Sequence, residues 1–336
     1  MTSAADSRAP APRGVVDSPP AVSLEAIHAA AQAIEGTVVR TPLLDAPSLA
    51  KRLGIPIALK CEQLQPVGAF KIRGAYAAIS RLPVSRRQSG VITYSSGNHG
   101  QAVAYAARVL GIPAVVVMPE RAPAIKVEGV KRLGGEVVIA GNRTTERHEK
   151  ARLIAEERGL VLIPPYESLD VIAGQGTCGL EILEDRPSVE TIVVPVGGGG
   201  LIAGISAAVS ALKPGVRVIG VEPVGAPKLA RALEAGTPVQ LESTESMADG
   251  LLPLAIGTIP FAILSSVVHE SVLLTEDEIA AGVSFLHHEL GITAEPSGAI
   301  TTAALLSGKV QPTNSTVAVV SGGNVDPDLF RRLVRQ

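Results

Sequence analysis

The 336-residue chain has no tryptophan, four phenylalanines, four tyrosines and two cysteines. With so few rings, aliphatic side chains must fill its core. Cys61 and Cys178 stand far apart and make no CxxC pair, which excludes a disulfide framework and a structural zinc cluster. Charge of one sign is also lacking. The net charge of −2 leaves no basic footprint of the kind nucleic acid requires. Residues 1–20 have no apolar core behind a basic start, so they read as a disordered Ala/Pro/Ser-rich extension and not as a signal peptide. One uncharged stretch, Thr191–Leu212, is long enough to imitate a membrane span. Gly197–Gly200 interrupt it and Pro195 lies in its first apolar run, so a short strand followed by a helix explains it better. Neither a membrane nor a nucleic-acid partner is expected, and the location expected is cytoplasmic.

What is present is a large apolar fraction, 46%, against 18% charged residues, with 34 glycines and 25 prolines as punctuation. The length suits two domains of about 150 residues each. Short β-branched runs alternate with longer helical patterns. Strands are expected at Ile57–Lys60, Val91–Tyr94, Ala114–Met118, Val137–Ala140, Val161–Ile163, Ile192–Val196, Val218–Val221, Val272–Leu274 and Val317–Val320. Helices are expected at Gln101–Leu110, Thr145–Arg158 and Glu276–Leu290, among others. Strands this uniformly apolar are covered on both faces, which predicts an α/β protein with two doubly wound, mostly parallel sheets. The expected division is a small domain over 85–165 and a discontinuous large one over 21–84 and 166–336.

Ligands of such sheets bind at the carboxyl ends of strands. The turn Tyr94-Ser95-Ser96-Gly97-Asn98-His99-Gly100 offers two hydroxyls, an amide and an imidazole ahead of a helix, a setting for a carboxylate. A plain polar N-cap would need one Ser or Asn and not this cluster. Gly197, Gly198, Gly199 and Gly200 form a loop whose successive N–H groups can cradle a phosphate at a helix start. No Gly-Lys-Ser/Thr follows, so a P-loop is excluded. A dinucleotide site stays open, because Glu222 lies at a plausible distance despite the absence of G-x-G-x-x-G. Val320-Ser321-Gly322-Gly323-Asn324 reads alone as a polar turn. A lone lysine at a helix start is ordinarily a solvated residue, but Lys71 sits between Phe70 and Ile72. An apolar setting depresses a lysine pKa and frees the amine for a Schiff base. A Schiff-base lysine with a separate phosphate cup is what pyridoxal phosphate requires.

Seven motifs in order resemble the fold-type II pyridoxal phosphate enzymes, in particular the threonine dehydratase and serine racemase group. They are Gly68–Ala75, Ser95–Ala102, Ile172–Thr177, Val196–Leu201, Ala248–Gly250, Glu295–Gly298 and Ser321–Val325, and the resemblance runs from about residue 24 to 330. It implies a cofactor in the cleft between two sheet domains. Lys71 would be the Schiff-base lysine and the base at Cα, and Phe70 would pack on the cofactor. Asn98 would bond its ring oxygen, Gly197–Gly200 would hold its phosphate, and Ser321 would meet its pyridine nitrogen. Glu295 is counted with the cofactor-binding residues. Ser95, Ser96, Gly97, Asn98 and His99 would bind the substrate, with Ser96 as a second acid/base candidate. A hydroxyl partner leaves the pyridine unprotonated, a weaker sink that suits elimination. The implied reaction is loss of water from L-threonine or L-serine, giving a 2-oxo acid and ammonia.

Two positions depart from the family pattern. Ala69 stands where Ser is usual, and Lys228 stands where cation-binding members have an acid after Glu222-Pro223. We therefore expect no metal, with the Lys228 ammonium set against Glu222. No C-terminal regulatory domain is expected, and the assembly expected is a homodimer or homotetramer. The alternatives are a serine racemase, or a dehydratase of a bulkier hydroxy amino acid such as phenylserine or hydroxyaspartate; Arg147 and Tyr166, in no specific motif, are candidates to face whichever substrate is used. His99 argues against a β-replacement synthase, where Thr is usual. Retention of Lys71 and the cofactor loops argues against a non-catalytic binder.

Overall fold

Runs of Val and Ile buried on both faces become the strands of two sheets. The computed structural model describes residues 21–95, 97–122, 124–268 and 270–335, so the extension at 1–20 lies outside the described residues. The strands are β1 Leu43–Asp45, β2 Ile57–Cys61, β3 Val91–Tyr94, β4 Ala114–Pro119, β5 Glu136–Ala140, β6 Val161–Leu162, β7 Thr191–Pro195, β8 Arg217–Pro223, β9 Ser271–Leu274 and β10 Thr316–Val320. The helices are α1 Leu24–Ile34, α2 Pro47–Leu53, α3 Lys71–Ser80, α4 Val84–Gln88, α5 Asn98–Leu110, α6 Ala124–Arg132, α7 Thr144–Arg158, α8 Leu169–Asp185, α9 Gly200–Leu212, α10 Lys228–Ala235, α11 Thr258–Leu264, α12 Glu276–Leu290, α13 Pro296–Leu306 and α14 Pro327–Val334.

The larger sheet has the order β1-β2-β10-β7-β8-β9 and the smaller β5-β4-β3-β6. Every pairing is parallel except β1 with β2. Side-chain alternation sorts each strand between two cores. In β7, Ile192 and Val194 face the layer of α1, α3, α8 and α9, whereas Val193 faces α12 and α13. In β4, Val115 and Val117 meet Ala151 and Ile154 of α7, while Val116 and Met118 meet Ala104 of α5 and Val130 of α6. Helix α3 packs on α8 and on α5, joining the layers of the two sheets.

Local signals explain several boundaries. The side chain of Thr275 accepts from Glu278 N and Glu278 reciprocates, opening α12, and Gly291 closes it at φ +64°. Thr191–Leu212 forms β7, the glycine loop and α9, and among the described residues no helix is long and apolar enough to cross a membrane. Two features differ from expectation. Helix α5 begins at Asn98, so Asn98, His99 and Gly100 are its first turn and not the end of a loop. Strand β1 has no β-branched run; it is a short, mostly exposed antiparallel edge held by its register with β2.

Candidate active site

The ends of β3, β7 and β10 and the starts of α3, α5 and α13 converge on a cavity of about 660 Å³. Lys71 enters it as the first residue of α3. The segment before it is pinned to the turn after β10: Phe70 N donates to Ser321 O (3.0 Å), Gly323 N to Gly68 O (2.9 Å), and Ala69 bridges Gly322. Gly68 is required there, because its φ is +71° and a Cβ would lie 2.5 Å from Asn324 Oδ1. Lys71 Nζ lies 5.1 Å from the Phe70 ring centroid and donates to Pro165 O at 3.0 Å. Burial pushes this amine down to about 8, with Glu295 acting the other way. Its place at a helix N-terminus also disfavours the ammonium.

Facing Lys71 is the first turn of α5. Asn98 Nδ2 donates to Glu295 Oε1 at 2.6 Å, and Asn98 Oδ1 accepts from Asn324 Nδ2 at 2.9 Å. Burial, with Asp249 nearby, raises the Glu295 carboxyl to about 8, so it carries a proton near neutrality. His99 is buried with Nε2 3.1 Å from Ile163 O, while Nδ1 has no partner. Burial first, and then Lys71, push this imidazole down to about 3. It is neutral, donates through Nε2 and leaves Nδ1 as an acceptor. Ser95 Oγ accepts from Gly97 N at 3.2 Å, while Ser96 lies outside the described residues.

The glycine loop forms another wall. Gly199 caps α9 at φ +95°, and a Cβ on Gly198 would lie 2.2 Å from the Tyr166 ring. This loop can present only backbone, and at a helix start that means N–H donors for an anion. Ser321 lines the same cavity and has a long 3.4 Å bond to Ser297 O. A neutral-capable amine, an anion loop, an unpartnered acceptor and a hydroxyl around one cavity fit pyridoxal phosphate.

Other charged groups also face the cavity, and of these Lys126 carried no sequence signal. Lys126 of α6 pairs with Asp249 across its mouth. Arg147 of α7 is buried against its wall. Glu222 and Lys228, by contrast, lie outside the cavity, both fully buried and 3.1 Å apart. The Glu222 carboxylate also accepts from Leu229 N, Ala230 N and Ser271 Oγ at 2.9–3.0 Å.

The family model described as "Pyridoxal-phosphate dependent enzyme" matches residues 34–322. The L-threonine ammonia-lyase of Thermotoga maritima is 42% identical over 316 residues, 94% of this chain and 79% of that protein. The L-threo-3-hydroxyaspartate ammonia-lyase of Saccharomyces cerevisiae is 38% identical over 306 residues, 91% of this chain and 94% of that protein. Among solved structures, maize serine racemase superposes with a TM-score of 0.89 at 38% identity, covering 93% of this chain and 97% of its own.

Proposed function

The chain belongs to the pyridoxal-phosphate dependent enzyme family, and on that premise we propose that it is a lyase removing water from a 3-hydroxy amino acid, L-threonine or L-serine, to yield a 2-oxo acid and ammonia. The observation that carries this reading is the Lys71 amine, depressed to about 8 and facing the same cavity as the glycine loop. When bound, pyridoxal phosphate supplies the sink for the electron pair left at the substrate Cα. Lys71 would hold its aldehyde carbon, Gly197–Gly200 its phosphate, Ser321 its ring nitrogen and Asn98 its ring oxygen, with Phe70 and Glu295 alongside.

The protein's own groups then act on the substrate. The first turn of α5, with Ser95, Gly97, Asn98 and His99, receives the carboxylate, where the helix N-terminus favours negative charge. Ser96 is assigned to this loop as a second acid/base. Lys71, once released, takes the Cα proton; an amine lowered to about 8 becomes the free base at mildly alkaline pH and not only above 10.5. Neutral His99 adds no positive charge beside it. Incubation with L-threonine and L-serine tests this, with oxo acid, ammonia and D-amino acid measured together. Oxo acid equal to ammonia is expected; D-serine as the main product would assign a racemase, and neither product would sink both.

Arg147 favours a second reading of the substrate. Its guanidinium donates to Asn142 O (2.7 Å) and Thr144 Oγ1 (3.0 Å), its Nε has no partner, and none of the ion pairs among the described residues includes it. A desolvated arginine at the cavity wall fits a substrate with a second acid group, such as 3-hydroxyaspartate. Arg147→Met would then lower kcat/KM for hydroxyaspartate and spare threonine; equal losses would discard this reading.

We also place the enzyme in the cytoplasm as a homodimer or homotetramer, which size-exclusion with light scattering tests. The division into 85–165 and the flanking 21–84 and 166–336 is supported by the smaller sheet, whose strands all fall between Val91 and Leu162.

A further inference from the structure

We propose that helix α8, none of whose residues lines the cavity, sets the distance between Lys71 and the glycine loop, with Gly174 and Gly179 as its positioning residues. Lys71 is the first residue of α3 and Gly200 the first of α9, and both helices pack on α8. On the α3 side, a Cβ on Gly174 would lie 2.6 Å from Arg73 O and from Gly74 Cα. On the α9 side, a Cβ on Gly204 would lie 2.5 Å from Gly176 N and Ile172 O. One on Gly179 would lie 3.0 Å from Ile205 Cα and 3.2 Å from Ala208 Cβ. Backbone therefore meets backbone on both flanks of α8.

Sliding is blocked as well. Arg73 Nη1 donates to Thr177 Oγ1 (3.0 Å) and Glu181 Oε1 (2.7 Å), both on α8. Glycine inside a helix is unfavourable relative to Ala, and α8 carries Gly174, Gly176 and Gly179. Close approach on two sides offsets that cost. A rigid cofactor held at its aldehyde and at its phosphate gains from both anchors only when their spacing matches its own length. The inference rests on Lys71 and the glycine loop being those anchors.

The test uses the full chain stripped of cofactor, as wild type, Gly179→Ala and Gly174→Ala. Three ligands are titrated by absorbance or calorimetry: pyridoxal phosphate, pyridoxal without the phosphate, and inorganic phosphate alone. In Gly179→Ala the neighbours must give by a few tenths of an ångström. Pyridoxal phosphate should then bind about tenfold more weakly, while each half-ligand stays within about twofold. Gly174→Ala, with the deeper overlap, should lose more. Adding Ala208→Gly to Gly179→Ala should return part of the loss. If Gly174→Ala fails to fold, Gly179→Ala decides alone, its fold checked by melting temperature. A folded Gly179→Ala with unchanged affinity for pyridoxal phosphate overturns the proposal. So does an equal loss for the half-ligands, which would mean that one anchor was damaged and not their spacing. A wild-type chain that gains nothing from the phosphate would instead remove the two-anchor premise, and the proposal with it.

Discussion

Lys71 and Arg73 leave the same turn of α3 two residues apart, and their surroundings are opposite. Arg73 is fully buried and grips two carboxylates, Glu62 through Nε and Nη2 (2.8 Å each) and Glu181 through Nη1 and Nη2 (2.7 Å each). Lys60 completes this cluster by donating to Glu181 Oε2 at 2.6 Å and Thr41 O at 2.7 Å. Two cations face two anions, and the donors of the arginine are all used. Lys71 has Pro165 O as its hydrogen-bond acceptor and an amine held near 8. The difference separates two uses of buried charge. A fully compensated group has no reason to change its protonation state and serves the scaffold. An undercompensated one is poised to react.

The largest expected effect lies on the reactive side. Lys71→Ala should lower turnover by more than about a thousandfold and leave the melting temperature nearly unchanged, since a single carbonyl bond is lost. A large drop in melting temperature would erase the contrast with Arg73. Arg73→Met should do the reverse, destabilising the fold by about 3–5 kcal/mol because Glu62 and Glu181 lose their shared partner. Denaturant unfolding measures it, and a loss below about 1 kcal/mol would show that the cluster does not hold α3.

Titration sharpens the comparison further. The Lys71 pKa is lowered, so the amine is neutral above about 8, not only above 10.5. Cofactor capture by the stripped protein should therefore speed up with rising pH and level off just above 8. Glu295 raises the Lys71 pKa, so Glu295→Gln should move that plateau to lower pH. A plateau beyond pH 10 would mean an ordinary, solvated lysine. The smallest effect belongs to the second compensated pair. Glu222 already accepts from Lys228 Nζ, two backbone amides and Ser271 Oγ, which leaves its carboxylate fully engaged. Chelator should leave activity and melting temperature unchanged, and added magnesium or calcium should not stimulate. Activity lost to chelator and restored by a divalent ion would place Glu222 in a cation site after all.

The two kinds of site were not equally legible in the sequence. Long, doubly covered strands such as β4 and β7 were readable because every residue in them is apolar or small, and both faces demand that. The glycine loop was readable because four consecutive glycines have few other uses. Lys71 was readable through its apolar neighbours. The Arg73 cluster was not, because Glu181 lies 108 residues from Arg73 and 121 from Lys60, and nothing local marks the pairing. Arg147 could be named as a residue facing the substrate, but it lies in no specific motif and nothing in the sequence marks its burial. Its guanidinium turns back along the chain to donate to Asn142 O and Thr144 Oγ1, local acceptors that no motif announces. Helix α5 starts at Asn98, ahead of the expected Gln101, because polar residues with a glycine read as loop, whereas here they open the helix.

The central claim is that the one undercompensated amine on α3 is the group that holds the cofactor. Reduction of the cofactor-loaded enzyme with borohydride, followed by peptide mass spectrometry, tests it most directly. The reduced cofactor should be found on the peptide containing Lys71, and the fully buried Lys60 and Lys228 should be unmodified. Label on Lys60, Lys126 or Lys228, or on no lysine at all, would contradict the claim.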